Sequence, residues 1–375
     1  MNRRDFLAGL GVGAVGAAGV SAFTMGGGEQ ATVSYRGAST KSNASWDWKL
    51  VMSWPLHFPV SGEAVDHLVA EVARMTGGRL KIKVFGAGEL VGGLGVFDAV
   101  SQGSVEMGHS ASYYWAGKLP SVQFFCAVPF GMVAQEQNGW FYNADGLDLW
   151  REIYAKHNLT VFPAGNTGTQ MGGWFRKEIR SVDDFQGLKM RIPGLGGKVV
   201  AAVGGTVVLL AVSEIFPALE RGVIDAAEWV GPYQDRRVGF YQAAKYYYYP
   251  GWHEPATSSE LMINLQAWES LPQDIQTVVD NAAYKASLWS LSEYQAKNAE
   301  ALEDLVNNHG VLLRRFPDDL LRRLREASQQ VVEEVAESDA DSRRVYDSFL
   351  KFRQQSRHWR SISEEAYTAA ENLPA

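Results

Sequence analysis

Cysteine is nearly missing from this sequence. Cys126 is the only one in 375 residues, so no internal disulfide can form, and cysteine-based zinc, iron–sulfur and c-type haem sites are excluded. Within the apolar run Phe124-Phe125-Cys126-Ala127-Val128 it reads as a small buried hydrophobe. A basic excess is missing as well. Lys and Arg number 35 against 42 Asp and Glu, with no basic stripe, which argues against a nucleic-acid partner. An anionic ligand must then be won by a local positive site, not by the field of the whole molecule. Long apolar runs are absent after the N-terminal segment. Nothing from Trp46 onward approaches the roughly 20 strongly apolar residues that a membrane span needs, so the mature chain is expected to be soluble. Gly92-Gly93-Leu94-Gly95 is too poor a match to any phosphate loop to count as one.

What is present begins at the N-terminus. Asn2-Arg3-Arg4-Asp5-Phe6-Leu7 sets two arginines ahead of an uncharged stretch of Gly, Ala, Val, Leu and Ser. This layout predicts a twin-arginine export signal over residues 1–25, with cleavage near Ala22, and therefore a periplasmic protein. Residues 26–45 are rich in Gly, Ser, Thr, Gln and Asn and read as a flexible leader.

The remaining length allows two domains. Residues 48–53, 80–85 and 105–110 alternate like strands. They are separated by helical patterns at 64–75, with Ser61 as the expected N-cap, and at 91–102. This is β-α-β-α-β, the unit of an α/β domain with a largely parallel sheet, placed over residues 46–160. A second α/β set is placed over 161–255, with strands at 159–164, 172–175, 188–192, 206–210 and 226–230 and helices at 196–203 and 213–221. Residues 256–375 are read as a helical segment bracing both domains, with long helical patterns at 267–308 and 317–372. The 12 tryptophans and 15 tyrosines are expected to serve mostly core and interface.

Candidate functional residues concentrate between Asn166 and Trp229. Asn166-Thr167-Gly168-Thr169-Gln170 follows a strand, where ligand contacts in α/β folds gather, and its two amides can each donate and accept. A plain polar turn is the alternative. Arg191 interrupts the apolar strand Met190-Arg191-Ile192, and its guanidinium fork matches a carboxylate. A structural ion pair with a nearby Asp or Glu is the alternative there. Glu228-Trp229 ends a strand, and a carboxylate with a backbone carbonyl can hold a hard cation. A solvated glutamate beside a core tryptophan is the alternative. Tyr113-Tyr114-Trp115 lies just past the third strand, and Trp252-His253-Glu254-Pro255 follows four consecutive tyrosines. His253 has no recognisable nucleophile and reads as a hydrogen-bonded structural histidine.

The series Gln170…Arg191-Ile192-Pro193-Gly194…Ala226-Ala227-Glu228-Trp229, with the export signal, resembles the substrate-binding subunits of tripartite ATP-independent periplasmic (TRAP) transporters. Gly-Asn-Thr-Gly-Thr-Gln and Gly-Trp-His-Glu-Pro place it nearest the 2-oxo acid and lactate branch. The resemblance covers Trp46 to the C-terminus. It implies a two-domain periplasmic binding protein fold with hinge segments and long C-terminal helices. It also implies that Arg191 holds the ligand carboxylate, and that Asn166 and one of Tyr113 and Tyr114, Tyr114 first, bind the adjacent substituent. Gln170, Glu228 and the carbonyl of Trp229 would hold sodium or calcium, with no organic cofactor. The implied partners are a small 2-oxo or 2-hydroxy monocarboxylate, the transporter's membrane subunits, and a second copy of the chain through residues 342–370. Two other classes stay open on the sequence: a periplasmic enzyme, against which stands the lack of any cofactor motif or nucleophile–base pairing, and an adhesion or dimerisation module. Other organic acids, C4-dicarboxylates among them, also remain open.

Overall fold

A computed structural model describes residues 44–373. The expected export signal and all but the last two residues of the expected leader lie outside the described residues. Eleven strands occur among them: β1 (Trp46–Met52), β2 (Leu80–Phe85), β3 (Met107–Ser110), β4 (Leu159–Asn166), β5 (Gly173–Phe175), β6 (Lys189–Arg191), β7 (Thr206–Val208), β8 (Ala226–Ala227), β9 (Tyr246–Tyr249), β10 (Ser258–Asn264) and β11 (Leu312–Arg315). They form two sheets, ordered β2-β1-β3-β10-β4 and β11-β9-β5-β8-β6-β7. No helix of the described residues is long and apolar enough to cross a membrane.

The sheets are more mixed than the pattern predicts. β1 runs parallel to β2 and β3, but β10 joins β3 and β4 antiparallel, and β5 is antiparallel to β8 and β9. Strand direction depends on where the chain returns, and β10 returns from the other sheet. Pro163 in β4 faces the register shift at Ser259/Glu260; a bulge is one of the few sheet positions that tolerates a residue with no N–H. β10 and β11 lie inside the segment read as helical, and the boundary drawn at 160/161 falls within β4. The tyrosine run forms β9, with Tyr247 and Tyr248 buried.

Several helix limits also move. The pattern at 91–102 shortens to Val96–Ser101. Gly92, Gly93 and Gly95 form a turn instead, Gly95 N–H donating to Gly92 O at 2.8 Å, because glycine weakens a helix. The helix Ser61–Thr76 is capped by Glu63, whose Oε2 accepts from Val60 N–H at 2.9 Å, not by Ser61. Ser61 Oγ instead accepts from Gln234 Nε2 at 2.9 Å, linking the first sheet's layer to the second's. The helices Ala134–Asn143 and Gly146–Ala155 carry no expectation from the sequence.

The chain passes between the sheets in three places: from β4 to β5, from β9 to β10, and along the helix Gln273–His309 that leads to β11. This helix braces both sides. Ser290 Oγ accepts from Asn166 N–H at 2.9 Å, and Asn298 Oδ1 accepts from Tyr233 N–H at 3.1 Å. Its 37 residues have apolar side chains distributed around the axis, as a helix packed on several sides requires. The first two crossings carry Gln170 and the pair His253-Glu254.

Candidate functional site

Arg191 ends β6 and is 1% exposed. Burial of a guanidinium demands partners, and here they come mainly from the β8 terminus. Because β8 stops at Ala227, Glu228 and Trp229 lie just beyond the strand, where the sequence pattern places them within it. Arg191 Nη1 donates to Glu228 Oε1 at 2.5 Å and to the Glu228 carbonyl at 3.1 Å, and Nε donates to Leu210 O at 3.3 Å. The guanidinium lies 5.1 Å from the Trp229 ring centroid. Nη2 has no protein partner. The structural ion pair posed as an alternative for Arg191 therefore exists, and its acid is the same glutamate read as a cation ligand. Glu228 is buried, not solvated.

The second carboxylate oxygen of Glu228 lies 3.3 Å from His253 Nε2. Glu228, His253 and Glu254 each offer one ligand atom, all within 4.8 Å of one another, and all three residues are buried. Glu254 is the functional candidate that the sequence reading missed. The motif Gly-Trp-His-Glu-Pro contained it, but only the fold brings residue 254 to residue 228. His253 is hydrogen-bonded as expected, yet Nδ1 has no partner and the ring belongs to this cluster. Thr257 Oγ1 donates to Glu254 Oε2 and accepts from Gln170 Nε2 at 3.0 Å. Gln170 N–H donates to the Glu254 carbonyl at 3.1 Å, and Gln170 Oε1 is buried without a partner.

Tyr113 and Tyr114 stand ring to ring, 5.0 Å apart. Burial pushes the Tyr114 hydroxyl up to about 12, against the pull of the Arg191 guanidinium beside it. Both therefore stay neutral hydrogen-bonding groups. Gly194, φ 58°, sits against Tyr113: a Cβ there would lie 3.1 Å from the tyrosine Cβ. The Pro-Gly after Arg191 thus lets β6 turn away while Tyr113 closes over it. Asn166 is placed differently. Its Nδ2 donates to Gln137 Oε1 at 3.0 Å and its Oδ1 accepts from Gly168 N–H at 2.9 Å. In the loop 166–170, Asn166 is thus bonded within the protein, while Gln170 keeps an unpartnered amide oxygen.

The cluster suits a hard cation. It offers two carboxylates, an unsatisfied amide oxygen and no sulfur, the donor set of calcium or sodium. Burial pushes Glu228 up to about 7, against the pull of Arg191; burial, then the charge of Glu228, pushes Glu254 to about 7. Asp235 is raised to about 7 as well, and Glu260 well above the carboxylate range, both chiefly by burial. Between the ordinary value and about 7 the folded chain therefore holds protons that the unfolded chain has released, so intrinsic stability falls as pH rises through this window. Cation binding needs the ionised forms and runs the other way. Calcium affinity is expected to rise from pH 6 to pH 8. Calorimetry in buffers of different ionisation enthalpy should show proton release at pH 6 and little at pH 8; pH-independent affinity would remove Glu228 and Glu254 as ligands.

Residues 50–339 match the family model described as bacterial extracellular solute-binding protein, family 7. The monocarboxylate 2-oxoacid-binding periplasmic protein of Nostoc sp. is 47% identical over 322 residues, 85% of this chain and 87% of that one. A TRAP periplasmic solute-binding protein from Pseudoalteromonas atlantica, solved with sodium and pyruvate, is 41% identical with a TM-score of 0.85, over 88% of this chain and all of that one. A TRAP transporter solute-binding protein from Bordetella bronchiseptica, a dimer with calcium and picolinate at one active site and the other apo, is 38% identical with a TM-score of 0.85. That match covers 88% of this chain and 98% of the other. The expected two-domain α/β binding-protein fold is thereby established. With its buried arginine and its cluster of hard oxygen donors where two sheets meet, this chain belongs to the family 7 extracellular solute-binding proteins that serve TRAP transporters.

Proposed function

We propose that this protein captures a small 2-oxo or 2-hydroxy monocarboxylate, pyruvate- or lactate-like, together with sodium or calcium, and delivers it to the membrane subunits of its transporter. The observation that carries this reading is the Arg191–Glu228 pair, buried, with guanidinium Nη2 unsatisfied, together with the unsatisfied Oε1 of Gln170. The two charges of the pair neutralise each other and still leave the Arg191 Nη2 donor unused, and Gln170, whose N–H bonds the Glu254 carbonyl, keeps an unused acceptor. Arg191 is assigned to the ligand carboxylate, with Tyr114, and Tyr113 behind it, beside the 2-substituent. Gln170, Glu228, Glu254 and the Trp229 carbonyl are assigned to the cation. When bound, the cation offsets the repulsion between Glu228 and the ligand's carboxylate. Asn166 reaches the substituent only by giving up its bond to Gln137, so it is expected to contribute less than Tyr114.

A ligand this small has too few atoms for apolar burial to hold it; charge does most of the work, and the closed arrangement becomes the favoured one. The protein works in the periplasm and performs no catalysis. We further assign its export to the twin-arginine route and its assembly to a homodimer through residues 342–370, which the dimer of the Bordetella relative supports. The exposure of Trp359, Ile362 and Tyr367, each above half, supports the same helices as the contact.

A thermal-shift screen tests the ligand. Pyruvate or lactate with calcium or sodium should raise Tm more than either component alone; a ligand at 100 times its Kd adds about 2.7 kcal/mol of stability. A larger shift with succinate would assign the site to a dicarboxylate. Turnover of pyruvate or lactate would replace the binding reading with an enzyme.

A further inference from the structure

Gln234 lies in the short helix Pro232–Val238, a few residues beyond Trp229, and is fully buried. Its amide is used across the boundary between the two sheet layers. Oε1 accepts from Trp229 Nε1 at 2.8 Å, within the second layer. Nε2 donates to the Pro59 carbonyl and, at 2.9 Å, to Ser61 Oγ, both of the first layer. Ser61 Oγ also lies 3.3 Å from the hydroxyl of Tyr294, in the long brace helix. One side chain thus joins both layers to the helix that backs them. The short helix itself is tied down by the next residue. Asp235 is buried, and its Oδ1 accepts from the N–H groups of Val230 and Gly231, each at 3.2 Å. Its Oδ2 accepts from Trp174 Nε1 at 2.9 Å and from the Tyr247 hydroxyl at 2.8 Å. Trp174 belongs to β5 and Tyr247 to β9, so Asp235 fixes the turn to the second sheet while Gln234 reaches for the first.

The first layer is bent to meet it. His57 and Val60 hold φ at 54° and 60°, in the left-handed region that bulky side chains, β-branched valine above all, seldom adopt. Between these two positions stand Phe58 and Pro59. The Pro59 carbonyl takes the Gln234 amide, and the rings of Phe58 and Trp54 stand edge-on to Trp229 at 6.2 and 6.5 Å. Strain of this kind persists only where the surroundings over-determine it, and the second layer supplies Trp229 and Gln234 for the purpose. The same Trp229 ring lies 5.1 Å from the Arg191 guanidinium. A continuous chain of contacts therefore runs from the strained segment of the first layer, through Gln234 and Trp229, to the arginine of the site.

We infer, on the capture function proposed above, that Gln234 is a positioning residue: it holds the Trp229 ring over Arg191 when the first layer closes on the second, and so ties retention of the ligand to closure. Opening withdraws Pro59 and Ser61 from Nε2, the ring loses its fixed orientation, and the ligand leaves. The probe is pyruvate with saturating calcium, added to the mature protein. Gln234→Met keeps the length of the side chain and removes its bonds to Trp229, Pro59 and Ser61. Its Kd for pyruvate should rise at least about tenfold, through faster dissociation with association unchanged. The contraction that pyruvate induces in small-angle X-ray scattering should diminish as well. Trp229→Phe keeps a ring on the arginine and cuts only the bond to Gln234, so adding Gln234→Met to it should cost less than in the wild type. Ser61→Ala is the mild variant, because Glu63 and not Ser61 caps that helix. It should raise Kd about two- to fivefold, and it decides alone if Gln234→Met does not fold. Wild-type affinity and dissociation rate in Gln234→Met and Ser61→Ala, a loss carried by slower association alone, or fully additive losses in the double variant would overturn the role of Gln234 and leave the function standing. Wild-type protein that does not bind pyruvate overturns the function, and the role of Gln234 with it.

Discussion

Arg191→Ala is expected to abolish the ligand-induced rise in Tm and, in the same protein, to lower stability by about 3–5 kcal/mol, the range for breaking a buried pair. The sequence alone predicts the first effect with an intact fold, on the reading that Arg191 is reserved for the ligand carboxylate. The structure adds the second. Arg191 is buried on Glu228 and bonds the carbonyls of Leu210 and Glu228, so alanine leaves a carboxylate and two acceptors without donors. The loss should depend on pH. Glu228 already stands near 7 with its arginine in place, and without it the carboxyl rises further and escapes the penalty by taking a proton. Urea unfolding should therefore show a smaller deficit at pH 5 than at pH 8. Ligand affinity equal to wild type would sink the carboxylate assignment; equal stability at both pH values would sink the pairing.

Glu228→Gln inverts the experiment. The guanidinium stays buried and loses its counter-charge, and the proposed cation site loses one of its two carboxylates. Ligand affinity measured with saturating calcium should fall by at least the roughly 10–100-fold that losing even an outer-shell partner of a metal costs. The difference between titrations with and without calcium should vanish, which a purely structural role for Glu228 would not produce. A variant that keeps both the affinity and the metal dependence of the wild type would free Glu228 from the cation. Glu254→Gln is the informative companion, because it removes a neighbouring carboxylate without touching Arg191. Loss of metal dependence with stability preserved would assign the cation to the pair of glutamates.

The two variants also explain what could be read in advance. Arg191 is legible because a charge in an apolar strand demands a partner, whereas Glu228 reads equally as a solvated glutamate until the family resemblance gives it a cation. Their attachment to each other is not legible, since nothing in 36 intervening residues says that β6 and β8 are neighbours in the sheet. Glu254 has no role legible in its motif, because its carboxylate meets Glu228 only when the β9–β10 crossing carries it to the end of β8. Ser61 was misassigned for the converse reason: serine before a helical pattern is a good N-cap, but a tertiary acceptor requirement at Gln234 claimed its hydroxyl while Glu63 capped the helix.

The order of apolar and polar residues determined, by itself, the α/β class, most of the strands, the long helices that follow them and part of the chemistry on offer, namely one guanidinium, one carboxylate and an amide near strand ends. These are local properties, fixed by side-chain periodicity and by where strands must stop. The tertiary structure decided which of those groups meet, in which direction β5 and β10 run, and that the arginine is held by the glutamate. Pairing across the sheets depends on contacts far apart in the chain, whose free energy is set by joint burial and not by any segment's own sequence.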